Sequence, residues 1–211
     1  MIRVILCDDH ALIRRGIRDT LADAPDLRVV GEAGDYAALR SLLREQACDV
    51  LVLDINLPGR SGLDALHALK EEGSPIKVLV VSMYPEDQYA IRALRAGAFG
   101  YVNKGGDPQA IVNAVRTVAQ GRKYVTPEIA QMLVDSLTAP ADELPHHKLS
   151  DRELQTLVLI ASGKRLSDIA EALLLSPKTV SVYRSRVLEK LQLANNSELT
   201  VYAIRNGLVG Q

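Results

Sequence analysis

Apolar positions run along this chain in two alternating rhythms. Short, branched-aliphatic runs fall at 2–7 (IRVILC), 27–33 (LRVVGEA), 49–54 (DVLVLD), 76–82 (IKVLVVS) and 99–102 (FGYV). The segments between them, 11–23, 35–46, 62–72, 86–96 and 107–120, carry their apolar residues at helical spacing. Five strands alternating with five helices predict an α/β domain built on a doubly wound, five-stranded parallel sheet. VLVL and VLVV are apolar on both faces, so helices must cover that sheet on each side.

The rhythm changes after Gly121. Thr126-Pro127-Glu128 opens a predicted helix over 126–137, with proline where the first helical turn tolerates it. The stretch 138–148 (TAPADELPHHK) has two prolines and little apolar content, which predicts a linker. His146 and His147 belong to it, because a metal site would need further ligands. From Leu149 onward the pattern is helical only. Ser150 followed by Glu153 is a capping-box signature for a helix over 151–162 that Gly163 closes. A short helix runs from Ser167 to about Leu174, a longer one from Ser176-Pro177 through Leu191, and a last one from Ser197 to Asn206, ended by Gly207. The expected organisation is an α/β domain over 1–121, a linker over 122–147 and an all-α four-helix domain over 148–211.

Composition sharpens that division. The 211 residues are 47% hydrophobic, enough to bury cores, and with seven Tyr, one Phe and no Trp the interior falls to aliphatic side chains. Net charge is −1, yet residues 148–211 hold nine Lys/Arg against six Asp/Glu, leaving the first 147 residues at −4. An acidic front and a small basic tail point to different partners, the tail to nucleic acid. Cys7 and Cys48 show no CxxC spacing and read as two reduced core thiols, which implies a cytoplasmic location. MIRVILCDDH is interrupted by acids too soon for a signal peptide, and no apolar run approaches the roughly 18 residues of a membrane span, so no membrane partner is expected.

Chemistry gathers at the strand ends. In an open parallel sheet the ligand site lies beyond the carboxyl ends of the strands, near the switch in strand order. Strand 1 ends at Asp8-Asp9 and strand 3 at Asp54; with the order 2-1-3-4-5 the three carboxylates converge. Three like charges need a cation, and a hard, oxygen-seeking ion such as Mg²⁺ is the natural complement. Strand 4 ends at Ser82, a hydroxyl, and strand 5 is followed by Lys104, an ammonium. Together they make a site for a phosphoryl group, with a carboxylate able to act as nucleophile. Pro58-Gly59 and Gly62 read as turn chemistry shaping the loop after Asp54.

Through Asp8-Asp9, Asp54, Ser82, Tyr101 and Lys104, and through the helix-turn-helix of its tail, the chain resembles the bacterial two-component response regulators of the NarL/FixJ class. These pair a flavodoxin-like receiver with a LuxR-type DNA-binding domain. LSDRELQ and LSPKTVSVYRSR are similar to the GacA/UvrY type within that class. The resemblance implies that Asp54 accepts a phosphoryl group from the histidine of a sensor kinase. It implies that Asp8, Asp9, Asp54 and the backbone carbonyl of Asn56 hold Mg²⁺, and that Ser82 hydrogen-bonds and Lys104 neutralises the phosphoryl oxygens. Tyr101 would be the switch aromatic, turning inward as Ser82 moves toward the phosphate. Gly105 departs from the class, where proline often follows the lysine. His10, beside the acid pair, invites a catalytic role, though a histidine there is commonplace in the class.

In the tail, 167–174 and 177–191 have the lengths of a helix-turn-helix. At about 100° per residue, Val180, Tyr183, Arg184, Val187, Leu188 and Leu191 share one face of the second helix. Lys178, Ser181, Val182, Ser185, Arg186 and Glu189 share the other. Ser181, Val182 and Ser185 are short enough to approach base edges, while Lys178, Thr179 and Arg186 reach phosphates and Arg184 snorkels toward the DNA backbone. A tail charge of +3 is modest, so useful binding to promoter DNA calls for two copies. The resemblance implies a phosphorylated homodimer paired through the last helix, at Leu199, Val201 and Tyr202. Two rival readings stand beside this one. A Mg²⁺-dependent aspartyl-phosphate phosphohydrolase usually carries DxD on its nucleophile strand, where this chain has Asp54-Ile55-Asn56, and it has no use for a basic tail. A DNA-binding regulator with a phosphorylation-independent scaffold has no physical need of three clustered acids. Neither rival reading explains both halves, so the chain is read as a regulator and not as a turnover enzyme.

Overall fold

Cys7 lies beside Leu53, and Leu53 beside Val80, in a sheet whose register decides where the acids emerge. The computed structural model describes residues 1–84, 86–138 and 144–209. Five parallel strands, β1 (Ile2–Cys7), β2 (Leu27–Ala33), β3 (Val50–Leu53), β4 (Lys77–Ser82) and β5 (Gly100–Asn103), adopt the order β2-β1-β3-β4-β5. Helices α1 (Ala11–Ala22), α2 (Tyr36–Glu45), α3 (Gly62–Glu71), α4 (Glu86–Ala96) and α5 (Pro108–Ala119) join and follow them. All four residues of β3 are buried. Val50 and Val52 pack with Val4, Leu6, Leu79, Val81 and residues of α1 and α5 in one cluster. Their alternate neighbours Leu51 and Leu53 are equally buried on the opposite face, as the period of two requires.

The helix starts follow their capping chemistry. Asp35 caps α2 through the Ala38 N–H, and Asp107 caps α5, whose first residue is Pro108. At α3 a capping box pairs Ser61 with Asp64. Gly59 has φ +71°, the left-handed turn expected of it, but Gly62 does not belong to that class. A Cβ on Gly62 would lie 1.9 Å from the Asp54 carbonyl oxygen, so the side chain is absent because the backbone of the Asp54 loop passes through its place. The reading of Gly62 as turn chemistry is therefore corrected to close backbone approach.

The chain divides into two compact units, Met1–Thr138 and Ala139–Gln211. Within the span 122–147, the helix expected over 126–137 is present, and a 3₁₀ turn begins at Pro145. Helix α6 (Pro127–Thr138) packs on α4, and Thr126 Oγ1 donates to Glu86 Oε2 (2.9 Å). Residues 139–143 of the TAPADELPHHK stretch lie outside the described residues. In the second unit a single 3₁₀ turn, Pro145–Lys148, precedes α7 (Asp151–Ala161), α8 (Leu166–Ala172), α9 (Pro177–Leu191) and α10 (Asn196–Arg205). His146 is not bare linker: it is buried, and its Nδ1 lies 2.9 Å from the Tyr202 hydroxyl of α10. The Ser150–Glu153 capping box forms as expected, and Glu153 also pairs with Lys190 at 2.6 Å. Cys7 is a buried free thiol, whereas Cys48 is only half-buried. No helix among the described residues is long and apolar enough to cross a membrane.

Candidate functional site: an acid pocket and an exposed helix

Register builds the pocket. Because Cys7 pairs with Leu53, Asp8 and Asp54 leave the sheet side by side, and the Asp54 N–H donates to the Cys7 carbonyl (2.8 Å). Because Ser82 pairs with Asn103, Lys104 emerges beside Ser82, its N–H donating to the Ser82 carbonyl (2.8 Å). The Lys104 ammonium then bridges Asp8 Oδ2 at 2.6 Å and Asp54 Oδ2 at 2.8 Å, with all three side chains almost wholly buried. His10, Asp54, Asn56, Ser82, Met83, Tyr84 and Lys104 line one cavity at these strand ends. Asp9 is half-buried beside it.

Burial pushes the Asp54 carboxyl up to about 6, against the opposing pull of Lys104; Asp8 adds to the rise. A carboxyl whose folded pKa exceeds its unfolded value leaves the native state holding more protons, so stability falls as pH rises from about 4 through about 6. The loss approaches about 3 kcal/mol by neutral pH, at 1.36 kcal/mol per unit. In chelator-treated buffer, denaturation at pH 4.5 and pH 7.5 is expected to show this fall in the wild type. Asp54→Asn flattens it and is the more stable of the two at pH 7.5. An unchanged difference between the two proteins across that range contradicts the burial argument.

Asp8, Asp9, His10 and Asp54 offer ligand atoms that all lie within 4.8 Å of one another. Asp54 Oδ1 is buried and accepts no hydrogen bond of normal geometry. An orphaned carboxylate oxygen among oxygen donors, with Asn56 on the same cavity, fits a hard divalent cation.

Tyr101 is fully buried, with its ring inward. Its hydroxyl donates to the Tyr84 carbonyl (2.6 Å), which also accepts from Asn103 Nδ2 (3.2 Å). The Ser82 hydroxyl accepts from the Tyr84 N–H (3.3 Å), so Tyr84 touches both Ser82 and Tyr101, whose side chains also hydrogen-bond each other directly. Sequence reading missed Tyr84, whose backbone does this work, and Arg14, whose guanidinium holds the Asp8 carbonyl and Glu32. Backbone acceptors leave no residue-type signal.

In the second unit, α8 and α9 pack against each other across a four-residue turn in which Leu174 takes φ +51°. Ser176 caps α9 through the Thr179 N–H (3.0 Å). Val180, Val187 and Leu191 are buried, while Lys178, Ser181, Val182, Ser185 and Arg186 are exposed on the other face. Thr179 is half-buried, its hydroxyl 2.8 Å from that of Ser176. Arg184 is half-buried, and its Nε donates to Asn196 Oδ1 at 2.5 Å, tying α9 to α10. Leu199 corrects another expectation. It is fully buried on α10, which packs on α7, and has no surface to offer a partner, whereas Val201 is exposed and Tyr202 half-buried.

An acid pocket at the strand ends of a 2-1-3-4-5 sheet, followed by a helix-turn-helix, defines a class, and comparison with known proteins agrees with it. Residues 4–116 match the response regulator receiver domain, and residues 147–203 match the bacterial regulatory proteins of the luxR family. The chain belongs to the response regulators, transcription regulators controlled by phosphorylation of the receiver. It is 41% identical to the response regulator GacA of Pseudomonas protegens over 99% of this chain and 98% of that protein. It is 40% identical to the response regulator UvrY of Escherichia coli, over 99% and 96%. Among solved structures it resembles RcsB of Salmonella enterica serovar Typhimurium, bound to promoter rprA in the presence of the phosphomimetic BeF3-. That likeness has a TM-score of 0.65 and 27% identity, over 95% of this chain and 97% of that one. The response regulator ChrA of a heme-sensing two-component system gives 0.53 and 31%, over 99% and 98%.

Proposed function

We propose that Asp54 is the phosphoacceptor, and that its phosphorylation by a sensor histidine kinase controls promoter binding through α9. The observation that carries this reading is the Lys104 ammonium held between Asp8 and Asp54 at 2.6 and 2.8 Å in a pocket that also holds an unsatisfied Asp54 oxygen. Asp54 Oδ1 attacks phosphorus, the bond from phosphorus to the kinase imidazole breaks, and the ring nitrogen keeps the electron pair. Lys104 and the Ser82 hydroxyl face the phosphoryl oxygens, the one as a charge and the other as a donor. Asp8, Asp9, Asp54 and the Asn56 carbonyl would hold Mg²⁺, which when bound supplies positive charge against the same oxygens.

Phosphorylation adds about −1.5 to −2 charges at neutral pH. Ser82 responds by turning toward the new acceptors, and Tyr84, bonded to both Ser82 and Tyr101, moves with it. Tyr101 and α4 are thereby biased toward one of two arrangements. The output is a homodimer on paired half-sites, with Val201 and Tyr202 of α10 on the joined face. Domains 1–121 and 148–211 are the receiver and DNA-binding parts of this reading, and the cytoplasm is its location. The test is exposure of the purified chain to acetyl phosphate with and without Mg²⁺. A hydroxylamine-labile phosphoryl group mapped to Asp54, formed only with the metal, is the expected result; label elsewhere, or steady release of phosphate without a labelled protein, contradicts it.

On DNA, Lys178, Thr179 and Arg186 anchor phosphates while Ser181, Val182 and Ser185 meet base edges. Arg186→Ala is expected to weaken operator and random duplexes alike and to lower the slope of log K against log salt by about 1. Fluorescence anisotropy across a salt series measures it, and a loss confined to the operator assigns Arg186 to base reading instead.

A further inference from the structure

His10 stands at the mouth of the acid pocket and has no part in the phosphoryl chemistry above. Its Nδ1 lies 2.6 Å from Asp9 Oδ1 and 3.8 Å from Asp8 Oδ1, and its backbone N–H donates to Asp8 Oδ1 (2.8 Å). It lines the same cavity as Asp54, whose Oδ1 is buried and unsatisfied. We propose that His10 is a nitrogen donor to the cation site, so that the pocket takes a first-row transition divalent ion such as Zn²⁺ more tightly than Mg²⁺. The proposal rests on the reading of Asp8, Asp9 and Asp54 as cation ligands.

The chemistry of the donors supports it. Mg²⁺ prefers oxygen and keeps much of its water, and gains little from an imidazole. Zn²⁺ and its neighbours in the first row accept mixed nitrogen and oxygen sets and bind imidazole strongly. Charge fits as well: Lys104 offsets one of the three carboxylates, and the remaining two match a divalent ion. Two ligand atoms each about 2.1 Å from one ion are at most about 4.2 Å apart. The present set lies within 4.8 Å, so at most a contraction of a few tenths of an ångström is needed. His10 can supply that movement, because its side chain is 55% exposed while those of Asp8 and Asp54 are held by Lys104. A site of this kind would admit transition ions to the place the phosphoryl chemistry requires, and the two occupants would exclude each other.

The experiment measures Zn²⁺ and Mg²⁺ affinities of the full chain at pH 7.5 by competition with a chromogenic chelator, for wild type, His10→Ala, His10→Gln and Asp9→Asn. Wild type is expected to bind one Zn²⁺ more tightly than Mg²⁺, and excess Mg²⁺ to displace it. Both His10 variants lose at least about tenfold in Zn²⁺ affinity, the loss typical of even an outer-sphere partner, and keep their Mg²⁺ affinity. Asp9→Asn weakens both ions, which places the Zn²⁺ in this pocket and not on other histidines or thiols. Retained Mg²⁺ binding doubles as the control that the His10 variants fold. Wild type without Zn²⁺ binding, Zn²⁺ affinity indifferent to His10, or equal losses of both ions in both His10 variants would each overturn the assignment. Zn²⁺ bound through His10 in a chain that takes no Mg²⁺ would sink the Mg²⁺ reading and leave this one standing; Mg²⁺ bound beside His10-independent Zn²⁺ would do the reverse.

Discussion

Asp54→Ala is expected to reduce phosphoryl incorporation from acetyl phosphate by at least about a thousandfold, the order of loss when a nucleophile is removed. Neighbouring acids offer no substitute. Asp8 is committed through Oδ2 to Lys104 and through Oδ1 to the His10 N–H, and Asp9 faces the His10 ring. Each of the three has a buried oxygen, but of the three it is Asp54 that lines the cavity with Ser82 and Lys104. The variant should stay folded, because the charge it removes is one that burial opposes. Intact-mass analysis of wild type and variant side by side measures the effect, and circular dichroism checks the fold. Equal labelling of both proteins would place the acceptor elsewhere.

Gly62→Ala should have the largest structural effect. Its Cβ would stand 1.9 Å from the Asp54 carbonyl oxygen, 2.8 Å from the Asp54 carbonyl carbon and 2.9 Å from the Ile55 Cα. Those atoms are backbone and cannot rotate away, and the Gly62 N–H is itself bonded to the Ile55 carbonyl (2.8 Å). Relief requires moving α3 or the loop that carries Asp54. Overpacking of this kind costs about 3 kcal/mol or more when backbone must shift. Any surviving native state also holds Asp54 out of register with Lys104, so phosphorylation falls even where the protein stays folded. Gly59→Ala is the matched control. Its φ of +71° carries a penalty of about 1–2 kcal/mol, but no atom lies within 4 Å of the added carbon. Urea denaturation of the two variants should rank Gly62→Ala well below Gly59→Ala; equal stabilities would mean that the Asp54 loop yields freely.

The meeting of Asp8, Asp54, Ser82 and Lys104 was legible because strand order and polarity alone bring strand ends together, and each end carried a telling residue type. Helix starts were legible for a similar reason: Ser150 with Glu153, and Ser176 with Pro177, are local codes read within four residues. What stayed hidden depends on contacts between distant segments. His146 meets Tyr202 across 56 positions, and nothing in TAPADELPHHK reports that its second half would fold onto α10. Leu199 looked available on an apolar helix because periodicity places a residue on a face without saying what covers it. Tyr84 acts through its carbonyl and amide, which every residue has. Gly62 could be seen as a glycine, but the backbone that crowds it is eight residues earlier in the chain.

In the proposed function, phosphoryl chemistry at Asp54 sets DNA affinity at α9. Its most direct test is operator binding by wild type and Asp54→Ala, each with and without acetyl phosphate and Mg²⁺, with oligomeric state followed in parallel. Wild type should tighten on phosphorylation by about 5- to 150-fold, the usual range of a coupling of 1–3 kcal/mol, and pass from monomer to dimer. Asp54→Ala should stay at the unphosphorylated level in both respects. Wild type and variant binding with one affinity and one oligomeric state, whether or not the phosphodonor is present, would mean that Asp54 does not control DNA binding.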